Sequence, residues 1–172
     1  MEPLIHLVVP FTALTLSGLE WRKALPVALL AVLPDLDVFF HVHRSMSHSL
    51  VVISAVGLPL LMLAYGLKSL RIGLLGLLAV TSHIALDVFD GYTPVLWPLY
   101  GNSMWIQAEL GARISSSTTL TPALRLAMEP TRFIAFRSLD APLFTGEGLI
   151  ISMVLVLPLL FKIFGERQGA LA

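Results

Sequence analysis

Long apolar segments, separated by short polar ones, limit most strongly what this chain can fold into. They cover residues 3–19, 23–40, 49–67, 71–89 and 147–164. Each is close to the roughly 17 to 25 residues that a transmembrane helix needs. Because 56% of the residues are hydrophobic and only 13% are charged, the composition is not that of an ordinary soluble domain. The pattern predicts an all-α polytopic membrane bundle of about five transmembrane helices, in one membrane domain over residues 1–172.

The charge balance and the lack of cysteine exclude several functions. The chain has no cysteine, so disulfides, thiolate zinc sites and cysteine nucleophiles are excluded, and any metal must be held by nitrogen and oxygen. Its eleven basic and eleven acidic residues cancel, and no basic run is present. Nucleic acid is therefore not an expected partner. Nothing in the composition indicates a protein partner.

The three lysines indicate which side of the membrane is cytoplasmic. Lys23 follows the first apolar segment, Lys68 lies between the third and the fourth, and Lys162 lies near the end of the last. In a five-span topology these places share one face of the membrane, and an excess of lysine and arginine in short loops marks the cytoplasm. We therefore predict a protein of the cell inner membrane, with a long extracytoplasmic connection between helices four and five.

The same topology brings polar side chains together at the extracytoplasmic face. The start of the first span, the end of the second, the start of the third and the end of the fourth all meet there. An ionisable group at membrane depth is costly unless it is paired or coordinated, so such groups mark functional sites. The converging residues are His6, Asp35, Asp37, His43, His48, His83 and Asp87. All lie within residues 4–98. Because they converge at one face, we expect one site on the outer side.

Residues 99–146 form either an outer loop or a small cap before a last transmembrane helix at 147–164. Trp105–Leu110 and Arg132–Arg137 alternate apolar and polar residues as short strands do, and Ser115–Thr119 is rich in hydroxyls. Such strands would build a small extracytoplasmic cap. An irregular loop that lies on the lipid headgroups is the alternative.

His83 and Asp87 are four residues apart in an apolar helical run. This spacing puts both side chains on one face of a helix, about one turn apart, so that they can offer two ligands to one metal. The alternative is a His–Asp hydrogen bond that stabilises a helix bundle. Asp90, after the fourth span, belongs either to the site or only to the turn that follows.

Asp35 and Asp37 follow Pro34, which removes a backbone donor and bends or ends a helix. If the backbone turns there, both carboxylates can face one pocket. Otherwise one carboxylate binds the metal, and the other orients a metal-binding histidine through the ring nitrogen that faces away from the metal. A simple helix-capping turn is the third interpretation.

The stretch from His43 to Ser49 opens the third span, with Ser45 or Ser47 suited to cap that helix. The partial positive charge of a helix N-terminus would keep His48 neutral and able to bind a metal. Arg44 adds a planar fork that can hold a phosphate at two oxygens. Its alternative role is a snorkelling residue that sets topology.

The donor set limits the choice of metal. A mixed His/Asp site without thiolate suits Zn²⁺, Mn²⁺ or Fe²⁺ better than Mg²⁺. We expect Zn²⁺, with Mn²⁺ and Fe²⁺ as alternatives. Seven candidate donors are enough for one or two ions.

Five motifs, in this order and spacing, resemble the YdjM-like family of membrane-bound proteins that are assigned as metal-dependent hydrolases. They are IHL at residues 5–7, LPDLD at 33–37, HRSMSHSL at 43–50, SHIALD at 82–87 and PVLWP at 94–98. The resemblance covers about residues 4–98. Ser47 stands where family members often carry threonine, and Ser45 where a glycine is common.

The resemblance implies a metal site built from the same seven converging residues. The family is also distantly similar to zinc-dependent phospholipase C and to the S1/P1 nucleases, which cleave phosphoesters with His and Asp ligands. This similarity implies a membrane-embedded hydrolase that cleaves a phosphoester of a lipid or lipid-linked substrate by metal-activated water. Asp37 or Asp90 would act as the base, and Arg44 would stabilise negative charge.

The alternative function is a non-catalytic metal-binding membrane protein: a transporter, a sensor, or a lipid-binding or structural subunit. A transporter needs polar groups through the bilayer to the cytoplasmic face. The inner halves of the spans offer only Thr12, Thr15 and Ser17. Hydrolysis of a membrane lipid is therefore the preferred interpretation, because such a substrate reaches a pocket at membrane depth without leaving the bilayer.

Overall fold

The computed structural model describes residues 3–114, 118–138 and 145–169, with side chains through Lys162 in the last segment. The elements are α1 (Pro3–Leu16), α2 (Trp21–Leu29), a 3₁₀ segment (Leu30–Phe40), a 3₁₀ turn (Met46–His48), α3 (Leu50–Gly66), α4 (Leu70–Asp90), β1 (Asn102–Ile114), β2 (Thr118–Pro130) and α5 (Gly146–Gly169).

The prediction of an all-α bundle is wrong. The chain is 61% helical, but it also contains a two-stranded antiparallel sheet made of β1 and β2. Each strand has 13 residues. The apolar pattern of the first hundred residues indicates helices only, and it carries no information about the outer connection, where the sheet lies.

The prediction of five membrane spans is also wrong. Among the helices of the described residues, only α4 is both long enough and apolar enough to cross a membrane. The apolar helices α1 and α3 have 14 and 17 residues. The predicted second span, 23–40, is divided between α2, with nine residues, and the 3₁₀ segment. Apolar length therefore overestimated the regular helix that these segments form.

The 3₁₀ segment is 11 residues long, whereas 3₁₀ runs beyond three or four residues are uncommon. Pro34 lies in its middle and Asp35 and Asp37 follow directly. Proline removes one backbone donor and clashes with an α-helical turn before it, so the chain leaves α-helical geometry in this region. The segment ends at His41, which has a left-handed φ of 58°.

Small side chains form the centre of the helical part. Ala24, Ala28 and Ala31 are fully buried, and they pack with Leu14 of α1 and Ala79 of α4. Small residues let helix backbones approach closely, which is how helices pack where lipid surrounds them. The 3₁₀ segment is thereby held against α1 and α4, the two helices that carry His6 and His83.

Helix α3 has no buried residue. Its large apolar side chains are exposed, among them Leu58 at 59% and Met62 at 76%. Contiguous apolar surface of this kind marks contact with a membrane or a partner. The helical part therefore presents an outer surface suited to lipid.

The sheet is one long hairpin, with a register that runs from Asn102↔Pro130 to Ile114↔Thr118. The predicted strand at Trp105–Leu110 is confirmed, since it lies within β1. The predicted strand at Arg132–Arg137 is wrong, because in this range only Ala135 forms a bridge, to Val42. Of the hydroxyl-rich stretch, residues 115–117 lie outside the described residues, and Thr118 and Thr119 belong to β2.

The base of the hairpin is attached to the end of α4. Thr93 and Met104 exchange two backbone hydrogen bonds of 2.9 Å, and the Trp105 indole donates to the carbonyl oxygen of Phe89 at 3.3 Å. The amide of Phe136 donates to the carbonyl oxygen of His41 at 2.9 Å. The outer connection thus returns to the helix ends that carry the polar residues.

Candidate metal site

Four parts of the chain deliver polar side chains to one place. They are α1, the 3₁₀ segment, the stretch around the 3₁₀ turn, and the C-terminal end of α4. The most buried members are His48, His83 and Asp87, which have no exposed surface, while His6, Asp37 and Asp35 expose 4%, 7% and 8%. So many ionisable groups buried together need a compensating partner.

Four atoms form the centre of this cluster. The Nε2 atoms of His48 and His83 are 3.2 Å apart. His48 Nε2 lies 3.5 Å from Asp35 Oδ1 and 3.2 Å from Asp87 Oδ2. His83 Nε2 lies 3.4 and 3.5 Å from the same two oxygens. A tetrahedral ion with bonds of about 2.0 to 2.1 Å separates its ligands by about 3.3 to 3.4 Å. The five distances match such an ion.

The carboxylate oxygens at this centre lack well-directed protein donors. Neither oxygen of Asp35 nor of Asp87 accepts a hydrogen bond from the described part of the chain. Buried polar atoms without a partner are rare, and an ion is one of the standard explanations. Burial, donor chemistry and spacing thus all fit a divalent cation held by these four residues.

Asp87 also faces a second imidazole. Its Oδ1 lies 3.3 Å from His6 Nε2, and the His6 ring stacks on the His83 ring with centroids 4.0 Å apart. His6, His83 and Asp87 together form a group that can hold a metal ion. The two oxygens of Asp87 therefore face two sets of donors, as in a carboxylate that bridges two positions.

Asp37 lies behind His48 and not at the centre. Its Oδ2 is 3.3 Å from His48 Nδ1 and accepts hydrogen bonds from the Ser45 amide at 2.8 Å and the Ser47 hydroxyl at 3.2 Å. A carboxylate on the far nitrogen of a histidine fixes the ring so that the other nitrogen can face a metal. This position corresponds to the expectation of one ligand and one orienting carboxylate.

His43 lies at the edge of the cluster. Its Nδ1 is 3.7 Å from Asp37 Oδ1, and its ring meets the His48 ring edge to face at 5.5 Å. With Asp35 and His48 it forms a second group that can hold a metal ion. All seven residues that the sequence predicts to converge are therefore brought together.

Arg44 connects the cluster to its exposed rim. Its Nε lies 3.5 Å from Asp87 Oδ2 and its Nη2 lies 2.5 Å from Asp90 Oδ2. The side chain of Asp90 is 55% exposed, whereas that of Asp87 is fully buried. Arg44 has a left-handed φ of 55°, and strained backbone of this kind gathers at functional sites.

Sequence reasoning missed Gly91. A Cβ atom there would clash with Arg44 Nη1, so any side chain would displace the guanidinium. The signal that could have found it is the glycine directly after the apolar run of α4. Close approach of another group is one of the few reasons for a glycine at such a position.

The predicted cap of the third helix is also wrong. Ser45 caps the 3₁₀ turn, and Ser49 caps α3 by accepting hydrogen bonds from the Val51 and Val52 amides. The buried Ser49 hydroxyl donates to the carbonyl oxygen of Trp97. The helix begins later than predicted because the 3₁₀ turn takes up residues 46–48.

Charge around His48 differs from the expectation of a neutral ring. Burial lowers the pKa of His48, but the carboxylates of Asp35, Asp37 and Asp87 have the larger effect and raise this pKa to about 10. Burial raises the pKa of Asp35, but His48 and His83 lower it to about 2. The carboxylates thus outweigh the helix N-terminus, and without a metal the cluster holds protons that a cation would replace.

The chain matches a known protein family. A family model described as "YdjM inner membrane protein" matches residues 1–167, and comparisons with curated proteins and with solved structures give no match. This finding supports the expected membrane localisation. Since the match extends over nearly the whole chain, the protein belongs to the YdjM family of inner membrane proteins.

Proposed function

We propose that this protein is a metal-dependent hydrolase that cleaves a phosphoester of a membrane lipid. The observation that carries the proposal is the set of four donor atoms on His48, His83, Asp35 and Asp87, spaced as the ligands of one divalent ion. Such an ion lowers the pKa of water to near neutrality and polarises a phosphoryl oxygen.

Zn²⁺ is the metal that we propose. Its tetrahedral geometry requires ligand separations of about 3.3 to 3.4 Å. An octahedral ion with bonds of about 2.1 Å would need neighbouring ligands about 3.0 Å apart. The distances of 3.2 to 3.5 Å among the imidazole and carboxylate atoms favour the tetrahedral ion.

Arg44 is the residue that we propose for binding the phosphate group. Its guanidinium lies between the buried Asp87 and the half-exposed Asp90, at the rim where a substrate can enter. A planar guanidinium can donate to two phosphate oxygens at once. A phosphate held there would lie beside the four donor atoms.

Asp90 is the better candidate for the base. Asp37 is occupied by the Ser45 amide, the Ser47 hydroxyl and His48. Burial raises the pKa of Asp37, but His43, His48 and the Ser45 amide hold it below its usual range, so it accepts a proton poorly. Asp90 is exposed enough to pass a proton to solvent. We therefore assign Asp37 to orienting His48 and Asp90 to proton transfer.

An apolar groove supports a lipid as the substrate. It lies between the 3₁₀ segment, α3 and α4, has a volume of about 480 Å³, and is lined almost entirely by aliphatic side chains and glycines. Its one polar side chain is Ser47, whose hydroxyl lies 3.2 Å from Asp37 Oδ2. Pockets of roughly 300 to 1,000 Å³ suit small ligands. An acyl chain in this groove would bring its headgroup to the cluster.

The cluster is proposed to lie on the extracytoplasmic side. On α4 it occupies the C-terminal end, whereas Lys68 and Arg71 lie at the N-terminal end, about 30 Å away over 21 residues. Basic residues in short loops mark the cytoplasmic side. The opposite end of α4 would then face outward.

The test is metal content and turnover in the same samples. Detergent-purified protein, His48→Ala and Asp87→Ala are analysed for bound metal and for hydrolysis of a panel of phospholipids, measured as the release of the headgroup, of the phosphorylated headgroup or, from phosphatidic acid, of phosphate. His41→Asn is the matched control, because His41 lies outside the central donor set and asparagine tolerates its left-handed φ of 58°. We expect near-stoichiometric metal and release in the wild type and the control, and loss of both in the two variants. Metal-free wild-type protein would overturn the proposal.

One observation favours a second candidate, a non-catalytic metal site. Four protein donors fill a tetrahedral zinc, and closed sites of this kind are structural, whereas catalytic sites keep one position open. Catalysis would therefore require a fifth coordination position or a shift of the Asp87 side chain toward His6. Bound metal without hydrolysis of any lipid at either phosphoester bond would favour the structural role.

A further inference from the structure

The β1–β2 hairpin has two faces of opposite character. The register pairs even-numbered residues with even-numbered ones, and side chains of alternate residues point to opposite sides. One face carries Met104, Ile106, Ala108, Leu110, Ala112 and Ile114 opposite Met128, Leu126, Leu124, Pro122, Leu120 and Thr118. Over the described residues of the hairpin this face has no charge.

The opposite face carries every charged residue of the described hairpin. These residues are Glu109, Arg113, Arg125 and Glu129. Gln107 lies opposite Arg125 on the same face. The charged residues are thus confined to one face of the ribbon, whose strands have 13 residues each, a length far beyond what a turn requires.

The apolar face is not covered by the rest of the described chain. Ile114 is 82% exposed, Leu124 74%, Leu110 69% and Leu120 62%. A contiguous exposed apolar surface of this kind indicates a contact with a membrane or another protein. Something outside the described part of the chain therefore covers it.

The attachment of the hairpin indicates a lipid surface. β1 begins beside the C-terminal end of α4, the candidate membrane span, where Trp105 donates to the carbonyl oxygen of Phe89. The Tyr92 and Trp105 rings meet edge to face at 5.3 Å at this point. Tyr and Trp gather where a membrane meets water. The base of the hairpin therefore lies at the level of the membrane surface.

A two-stranded ribbon cannot cross the bilayer, because the outer edges of its strands carry unpaired backbone groups that lipid cannot satisfy. It can lie along the surface, with its apolar face in the acyl region and its charges in water. We propose that the β1–β2 hairpin lies flat on the lipid surface at the metal-site end of α4. This role does not depend on hydrolase activity, so the proposed function and this inference can fail separately.

The absence of cysteine from the sequence allows a direct test on the full chain. Leu124→Cys and Arg125→Cys place one spin label on each face, at neighbouring positions and the same distance along the ribbon. The labelled proteins are reconstituted into vesicles of phosphatidylethanolamine and phosphatidylglycerol. Accessibility is measured with oxygen, which concentrates in lipid, and with a nickel chelate, which stays in water.

The expected result is a reversal of the accessibility ratio. At position 124 oxygen should exceed the nickel chelate, and at position 125 the nickel chelate should exceed oxygen. Nickel access at both positions would overturn the proposal. A label at 124 that is shielded from both reagents and coupled to a second spin would overturn the proposal. It would show that a second copy of the chain, and not lipid, covers the apolar face.

A second pair of cysteine variants, on β1, tests whether the result at positions 124 and 125 comes from local misfolding. Leu110→Cys and Glu109→Cys lie on the apolar and polar faces of β1 and should repeat the reversal. Circular dichroism and size-exclusion profiles equal to those of the wild type establish that each variant is folded. Opposite results from folded variants of the two strands would contradict a flat ribbon.

Discussion

At the scale of single residues, the cluster divides its carboxylates between two tasks. Asp35 and Asp87 point oxygens at the shared centre, while Asp37 holds His48 from behind. Ligand orientation by such a partner is worth a large part of the affinity of a metal site. Substitutions at these positions should therefore have separable effects.

Asp37→Asn should weaken metal binding without abolishing it. The amide keeps the shape of the side chain but loses the charge that orients His48, and loss of such a partner costs about 10- to 100-fold in metal affinity. Competition with a chelator of known affinity measures the change. Asp35→Asn should lose the metal altogether, and Asp90→Asn should retain wild-type affinity. Equal losses in the Asp37 and Asp35 variants would contradict the division of tasks.

Metal binding should release protons and strengthen as the pH rises. Burial lowers the pKa of His48, but the carboxylates raise it to about 10, so without metal its ring is protonated at neutral pH. Asp35, with a pKa of about 2, has no proton to lose in this range. A cation therefore displaces imidazolium protons, and its affinity should increase from pH 6 toward 10. Calorimetric titration with Zn²⁺ in two buffers of different ionisation enthalpy counts the protons, and a count of zero would refute this prediction.

Gly91→Ala should reduce turnover while leaving the metal in place. The added Cβ would clash with Arg44 Nη1 and must push the guanidinium away from Asp87 and Asp90. Loss of one preorganised donor for transition-state charge costs on the order of 10²-fold in rate. Phosphate release and metal content are measured together. Gly101→Ala is the matched control, since no atom of the described residues would lie within 4 Å of a Cβ at this position. Wild-type rates in both variants would remove Arg44 from the proposed mechanism.

At the scale of elements, the 3₁₀ segment decides the geometry of the site. An α-helix over 23–40 would have carried Asp35 and Asp37 along one regular axis. The helix is broken around Pro34 instead. The 3₁₀ segment packs against α4 on one side, and a groove separates it from α3 on the other. Glycines 57, 73 and 76 line this groove, and their lack of side chains keeps it open.

Gly57→Leu should block the groove. A Cβ at this position already meets Leu77 Cδ1 at 2.8 Å, so a larger side chain must occupy the cavity or displace its wall. Cleavage of a long-chain phospholipid should fall, while cleavage of a short-chain, water-soluble phosphoester should not change. Gly66→Leu is the control, because a Cβ at position 66 would have no neighbour within 4 Å in the part of the chain that the structure describes. Equal effects on both substrates would show that the groove does not hold the acyl chain.

At the scale of the whole molecule, the cluster, the rim and the hairpin base all lie at one end of α4. The basic residues Lys68 and Arg71 lie at the other end. This separation over one candidate span predicts that the two ends face different compartments. The metal site and the hairpin would then share the outer surface.

Labelling of whole cells tests this orientation. Leu99→Cys and Leu67→Cys place a single thiol at exposed positions, 82% and 68% exposed, beside opposite ends of α4. A membrane-impermeant maleimide should label position 99 in intact cells and position 67 only after permeabilisation. The reverse pattern would place the cluster on the cytoplasmic side.

The sequence by itself determined the membrane character, the meeting of seven polar residues, and one strand of the outer connection. Four-residue spacing on a helix and the positions of the apolar segments are local properties, and they are enough to place His83 beside Asp87 and to draw four segments together. They overestimated the number of spans, because apolar length does not reveal where a helix is broken by a proline or ends early.

Only the tertiary structure decided which carboxylate faces the centre, where α3 begins, and why Gly91 has no side chain. Each of these depends on atoms that are far apart in sequence: Asp35 against His83, Ser49 against Trp97, and Gly91 against Arg44. The protonation of His48 also depends on residues that are far apart in sequence. A local rule predicted a neutral ring at a helix N-terminus, but three carboxylates from two other elements raise its pKa, because buried charges act strongly over a few ångströms.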